Sequence, residues 1–209
     1  MSDTPPPRHA PRALWLIAQA FMQALYALFG NPEDIAQAPH RQARAYKQLA
    51  TWIAAGEALL RRLLMIEAAA ATPAPPRKPR AKRAARVRAR VACFPDQPQA
   101  WRVSFRAVPS QHRPLRLWRP KKRLFTPRHI VDAWPLALRY EALIRVCNNP
   151  GPYAARLARR LRAAPRRARA ILRASAAITA TVGRDALHEL TKAAKSAWRP
   201  PPRPVLDSS

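Results

Sequence analysis

RQARAYKQLATWIAAGEALLRRLLMIEAAAA, residues 41–71, is the stretch whose reading decides the fold. Its apolar positions Ala45, Leu49, Trp52, Gly56, Leu59, Leu63 and Ile66 alternate steps of four and three, and Ile53, Leu60 and Leu64 widen the stripe. That spacing predicts one long helix, from about Arg41 to Ala71, with a heptad-like seam that needs a partner. The partner can come from a preceding helix, from C-terminal helices or from a second copy, so residues 45–66 are a candidate self-association surface.

Upstream, the uncharged run Ala13–Phe29 predicts a helix over Arg12–Phe29 that closes at Gly30. Asn31, Pro32, Glu33 and Asp34 then supply a cap, a first-turn proline and first-turn acids for a short second helix. Arg8 and Arg12 before an apolar run, with Ala36-Gln37-Ala38 after it, imitate a signal peptide. Glu33, Asp34 and Pro39 sit wrongly for cleavage. A membrane span would be short and would carry Gln19 and Gln23. A buried helix in a cytoplasmic protein is the expectation, with contact to a membrane as the rival.

Beyond residue 71 the character changes. TPAPPRKPRAKRAA, residues 72–85, is Pro-rich and basic with no apolar period, and reads as an extended linker. Arg86–Cys93 and Trp101–Ala107 each alternate Arg or polar residues with apolar ones, which predicts a short β-hairpin with a basic face. Helices follow from near Pro135 to Cys147, from near Pro150, from near Pro165, and from about Arg184 to Trp198. The expected fold is therefore mainly α. It divides into an N-terminal helical hairpin (1–71), the linker (72–85), a basic segment with the β-hairpin (86–131), a C-terminal cluster of short basic helices (132–198) and a Pro-rich tail (199–209).

Charge divides the chain more sharply than any motif. The net charge is +28, from 39 Lys and Arg against 11 Asp and Glu. Residues 1–67 hold seven cations and five acids, residues 68–131 hold 17 cations against Asp96 alone, and residues 142–184 hold ten cations and no acid. A chain this basic repels itself unless a polyanion neutralises it, which points to nucleic acid, an anionic membrane surface or an acidic protein.

Two features could form the contact. On a helical wheel Tyr153, Leu157, Leu161, Ala164, Ala168, Ile171 and Leu172 share one arc, and Arg156, Arg159, Arg160, Arg162, Arg166, Arg167, Arg169 and Arg173 fill the other half, provided that helical phase survives Pro165. An ordinary solvated face mixes signs for i to i+4 pairing, whereas this one is all Arg. In the second feature, aromatics alternate with cations in Trp101-Arg102, Phe105-Arg106, Trp118-Arg119 and Lys121-Lys122-Arg123-Leu124-Phe125. Such rings either stack on unpaired bases while cations hold phosphates, or face a core. Trp118, between Arg116 and Arg119, is the best stacking candidate.

Candidate nucleic-acid-binding residues are accordingly Arg77, Lys78, Arg80, Lys82 and Arg83 in the linker, Arg102, Arg106, Arg116, Trp118, Arg119, Lys121, Lys122 and Arg123 in the middle, and Arg156, Arg159, Arg160 and Arg167 on the helices. No phosphate-cradling glycine loop, zinc-protease, nucleophile-elbow or paired-cysteine motif is present, and Cys93 and Cys147 stand far apart. Glu141 and Arg145 are spaced as an i to i+4 ion pair, and the histidines are scattered. The sequence therefore predicts a non-enzymatic nucleic-acid-binding accessory protein, for DNA or RNA, with no metal or cofactor and little sequence preference. The rival readings are a peripheral protein of anionic membranes and an adaptor for an acidic protein.

Overall fold

The computed structural model describes residues 9–37, 40–71, 96–109, 130–173 and 182–198, and the protein is mainly helical. Helix α1 spans Arg12–Phe29 and ends at Gly30, whose φ of 75° is the left-handed conformation that glycine adopts without strain. The Gly30 N–H donates to the Tyr26 carbonyl at 2.8 Å, and the Asp34 carboxylate accepts the Asn31 N–H at 2.7 Å, so the turn into α2, Pro32–Gln37, is closed from both sides. Both helices lie where the sequence put them.

Helix α3 is Ala43–Ala70, two residues shorter at its start than expected. His40–Gln42 instead forms strand β1, paired antiparallel with β2, Ile130–Asp132. Downstream come a 3-10 turn at Pro98–Ala100 and helices α4 (Trp134–Asn148), α5 (Gly151–Ala163), α6 (Arg167–Leu172) and α7 (Arg184–Ala197). Asp132 accepts the Trp134 N–H at 2.9 Å and so satisfies a free donor in the first turn of α4.

The core is built around α3. Leu49, Ile53, Leu59, Leu60, Leu63 and Leu64 are buried, and so are Ala55, Ala58, Met65 and Ala68, which lie off the predicted seam. From Ala58 to Ala68 only Arg61 is not buried, whereas Arg44, Lys47 and Gln48 in the first half are exposed, so the second half of α3 is a shared axis rather than half of a pair. The physical reason is that α1, α4, α5, α6 and α7 all pack against it, so its partners come from both ends of the same chain. Phe21 of α1 stacks on Trp52 with ring centroids 5.5 Å apart. At Gly56 the backbone of α3 comes so close to its neighbours that a Cβ would lie 2.8 Å from the Phe21 ring and 3.1 Å from Leu143 of α4.

Helix α1, uncharged after Arg12, buries Leu14, Trp15, Ala18, Phe21 and Leu25 against this axis, and leaves Leu16, Tyr26 and Leu28 exposed. It is the one helix among the described residues long and apolar enough to cross a membrane. Its first turn has no side-chain cap of its own. Glu67, buried near the far end of α3, accepts the His9 N–H at 2.9 Å, the Ala10 N–H at 3.0 Å and the Trp15 indole N–H at 3.1 Å.

The expected strand over Trp101–Ala107 does not form, and its proposed partner, Arg86–Cys93, lies outside the described residues, as does the linker 72–85. The period-two alternation is nevertheless real in the extended backbone: Trp101, Phe105 and Ala107 are buried while Arg102, Ser104 and Arg106 are exposed. Arginine side chains answer carbonyls of this region in place of a ladder. Arg61 Nε donates to the Arg106 carbonyl at 2.9 Å, and Arg145 donates to the Pro98 and Gln99 carbonyls at 2.5 and 3.2 Å.

Candidate polyanion interface

The cationic surface starts from local sequence. Gly151-Pro152 opens α5 after Pro150, and its apolar residues Ala154, Leu157, Ala158 and Leu161 are buried against the core. The residues between them, Arg156, Arg159, Arg160 and Arg162, are therefore turned outward and exposed. Helical phase does not continue through Pro165, and the helices expected from near Pro150 and near Pro165 are separate: α5 stops at Ala163 and α6 begins at Arg167. The new helix buries Ala168 and Ile171 and exposes Arg167 and Arg169, with Arg166 and Arg173 exposed at its ends. All eight arginines of the predicted arc thus reach solvent.

Nothing among the described residues neutralises them. The ion pairs there join Arg61 and Arg139 to Glu57 at 2.9 and 2.8 Å and Arg145 to Glu141 at 2.6 Å, the last as its spacing predicts. Burial would raise the Glu57 pKa, but hydrogen bonding and charge from Arg139, and then from Arg61, outweigh it and hold the carboxyl below its ordinary value. Glu67 is committed to the start of α1. The acids nearest the core are thus used for internal structure, and no carboxylate comes within ion-pairing distance of the α5 and α6 arginines among the described residues. One of the eight also braces the fold, since Arg162 donates to the Ala71 carbonyl at 2.8 Å, at the end of α3.

Two regions far apart in sequence meet here. The Phe105 ring packs edge-on to Tyr153 of α5 at 6.2 Å, and the Arg156 guanidinium lies over that same Tyr153 ring at 5.9 Å. Arg106, next to Phe105 in the chain, and Arg102 stand exposed on the other side of the extended segment. Of the predicted site residues, Arg102, Arg106, Arg156, Arg159, Arg160 and Arg167 are described and exposed. Arg77, Lys78, Arg80, Lys82, Arg83, Arg116, Trp118, Arg119, Lys121, Lys122 and Arg123 lie outside the described residues.

Stacking on bases is corrected for two rings. Trp101 and Phe105 are 2% and 6% exposed, and Trp101 packs against Trp134 at 5.1 Å, so both belong to the core. The described part of the surface presents guanidinium groups, and those two rings have no room to stack on a base.

Sequence reasoning missed Arg61, whose guanidinium covers the Phe105 ring at 5.8 Å while its Nε holds the Arg106 carbonyl. It also missed Arg62, which is fully buried. Neither residue lies on the predicted apolar stripe, so its spacing carried no signal for either.

No protein-family model matches the chain, and no curated protein and no solved structure matches it either.

Proposed function

We propose that this protein is a nucleic-acid-binding accessory protein that holds phosphates on a cationic surface and reads little or no base sequence. One observation carries the reading: the exposed arginines of α5 and α6 have no acidic partner among the described residues, although such partners are used elsewhere in the fold. An unpaired row of guanidinium groups is suited to bidentate contact with phosphates and releases their counterions. The basic linker 72–85 adds local charge without fixed geometry.

Binding to a DNA or RNA duplex should weaken steeply with salt, with a log–log slope of about −4 or steeper for ~0.9 counterions released per phosphate. Arg156→Glu, Arg160→Glu and Arg167→Glu together should lower affinity more than tenfold at low salt. Folding should persist, because all three side chains are exposed. A slope near zero would sink the reading. So would a triple variant that binds like the wild type while deletion of 72–85 abolishes binding, since the linker would then be the contact. Flotation with anionic vesicles in place of nucleic-acid binding would move the reading to a membrane surface.

A further inference from the structure

Arg62 is 0% exposed, on the central helix, and among the described residues it has no carboxylate partner. Its Nε donates to Thr191 Oγ1 of α7 at 3.1 Å, and one terminal nitrogen donates to the Ala58 carbonyl of its own helix at 3.0 Å. The other terminal nitrogen reaches the Leu172 and Arg173 carbonyls, each at 3.3 Å. These two carbonyls lie at the end of α6, and the last carbonyls of a helix need donors from outside it. Thr191 is in turn fixed, because its hydroxyl donates to the Leu187 carbonyl at 2.7 Å.

Burial, followed by the charge of neighbouring Arg61, pulls the Arg62 pKa down. A buried guanidinium without a counter-charge adds little to stability, since apolar residues of similar volume often do as well. What the planar fork provides and an apolar side chain cannot is fixed geometry toward several acceptors at once. Arg62 ties α3, α6 and α7 together through its hydrogen bonds.

We propose that Arg62 is the positioning residue of the cationic interface: by gripping the end of α6 it fixes where Arg167, Arg169 and Arg173 stand relative to the arginines of α5. The role in binding rests on the function proposed above; the grip on α6 does not. Both can be measured separately.

Hydrogen exchange is the direct readout. In Arg62→Met the amides of residues 168–173 should exchange at least tenfold faster while those of α1 and α4 are unchanged. Against a 20-base-pair DNA duplex, the same variant should show a salt slope shallower by about 2, which corresponds to roughly two fewer phosphates neutralised. Arg167→Glu with Arg169→Glu should cost more than tenfold in affinity in the wild type and less than threefold in the Arg62→Met background, because the two act through one helix. Thr191→Val, which removes the Nε acceptor together with the hydroxyl's bond to the Leu187 carbonyl within α7, should accelerate exchange in α6 at least threefold, and it decides the matter if Arg62→Met does not fold. Unchanged exchange in α6 overturns the proposal whatever the protein binds. Additive losses in the combined variant also overturn it. Faster exchange in a protein whose wild type ignores the duplex leaves the grip in place and removes the nucleic-acid reading instead.

Discussion

Glu57 shows how a single carboxylate is set by its surroundings. Its carboxyl is held below the ordinary value of 4.5 because Arg139 and Arg61 favour the charged form. A depressed folded value means that the stabilisation is fully present above that ordinary value and is lost as pH falls through the folded one. Acid unfolding should therefore have a component from this site. Glu57→Gln leaves two guanidinium groups facing an uncharged amide, and should cost about 2–4 kcal/mol near neutral pH, somewhat less than breaking a fully buried pair because some water contact remains. The loss should shrink as pH falls below the ordinary carboxyl value and through the lowered folded one, where wild-type Glu57 is itself being neutralised; thermal melting across the acid range up to neutrality checks it, and a pH-independent gap would remove the assignment. At this scale the sequence was legible only for partners close in the chain. Glu141 and Arg145 are four residues apart and were readable from spacing, whereas Glu57 meets Arg139 across 82 positions and Glu67 meets Trp15 across 52. Nothing local encodes such meetings. The aromatic rings Trp101 and Phe105 were ambiguous for a related reason: alternation tells which residues share a side but not which side is wet.

Helices were the most legible elements, because prolines and glycines punctuate them and apolar residues recur at helical spacing. The bounds of α1, and the restart after Pro165, follow from those signals alone. What a stripe does not encode is how many partners it meets, and α3 meets enough of them to enclose its second half. The crossing of α1, α3 and α4 turns on Gly56. Alanine there would gain about 1 kcal/mol in helix propensity, but its Cβ would press on the Phe21 ring and on Leu143. Phe21 is already stacked on Trp52 and cannot simply swing aside. Overpacking of this kind costs about 1–3 kcal/mol, so Gly56→Ala should lower the melting temperature despite the better propensity. A higher melting temperature would mean that the crossing has room to spare.

For the whole molecule, charge was fully legible as a total and only partly as a surface. The sum of +28 and its concentration after residue 67 are matters of counting. That Arg61, Arg62, Arg139 and Arg145 would turn inward to carboxylates and carbonyls, while Arg156, Arg159 and Arg160 stay outside, depended on the fold. The same sorting explains why composition could not name the contact: identical side chains serve as internal struts in one helix and as free cations in another.

The inward use of Glu57, Glu67 and Glu141 has a consequence for mixtures of many molecules. A protein whose outer charge is so one-sided has few anions with which to neutralise a neighbour, so copies in dilute buffer repel one another. Phosphates remove that repulsion in proportion to the amount added. Near one phosphate for each unit of the +28, complexes lose their net charge and should cohere into a turbid phase. Further nucleic acid should reverse the sign and clear the solution. Turbidity followed across the mixing ratio in about 50 mM salt should rise and then fall, and high salt should erase the peak by screening. A curve that rises and stays high would indicate apolar aggregation, with the exposed Leu16, Tyr26 and Leu28 of α1 as the first surface to suspect.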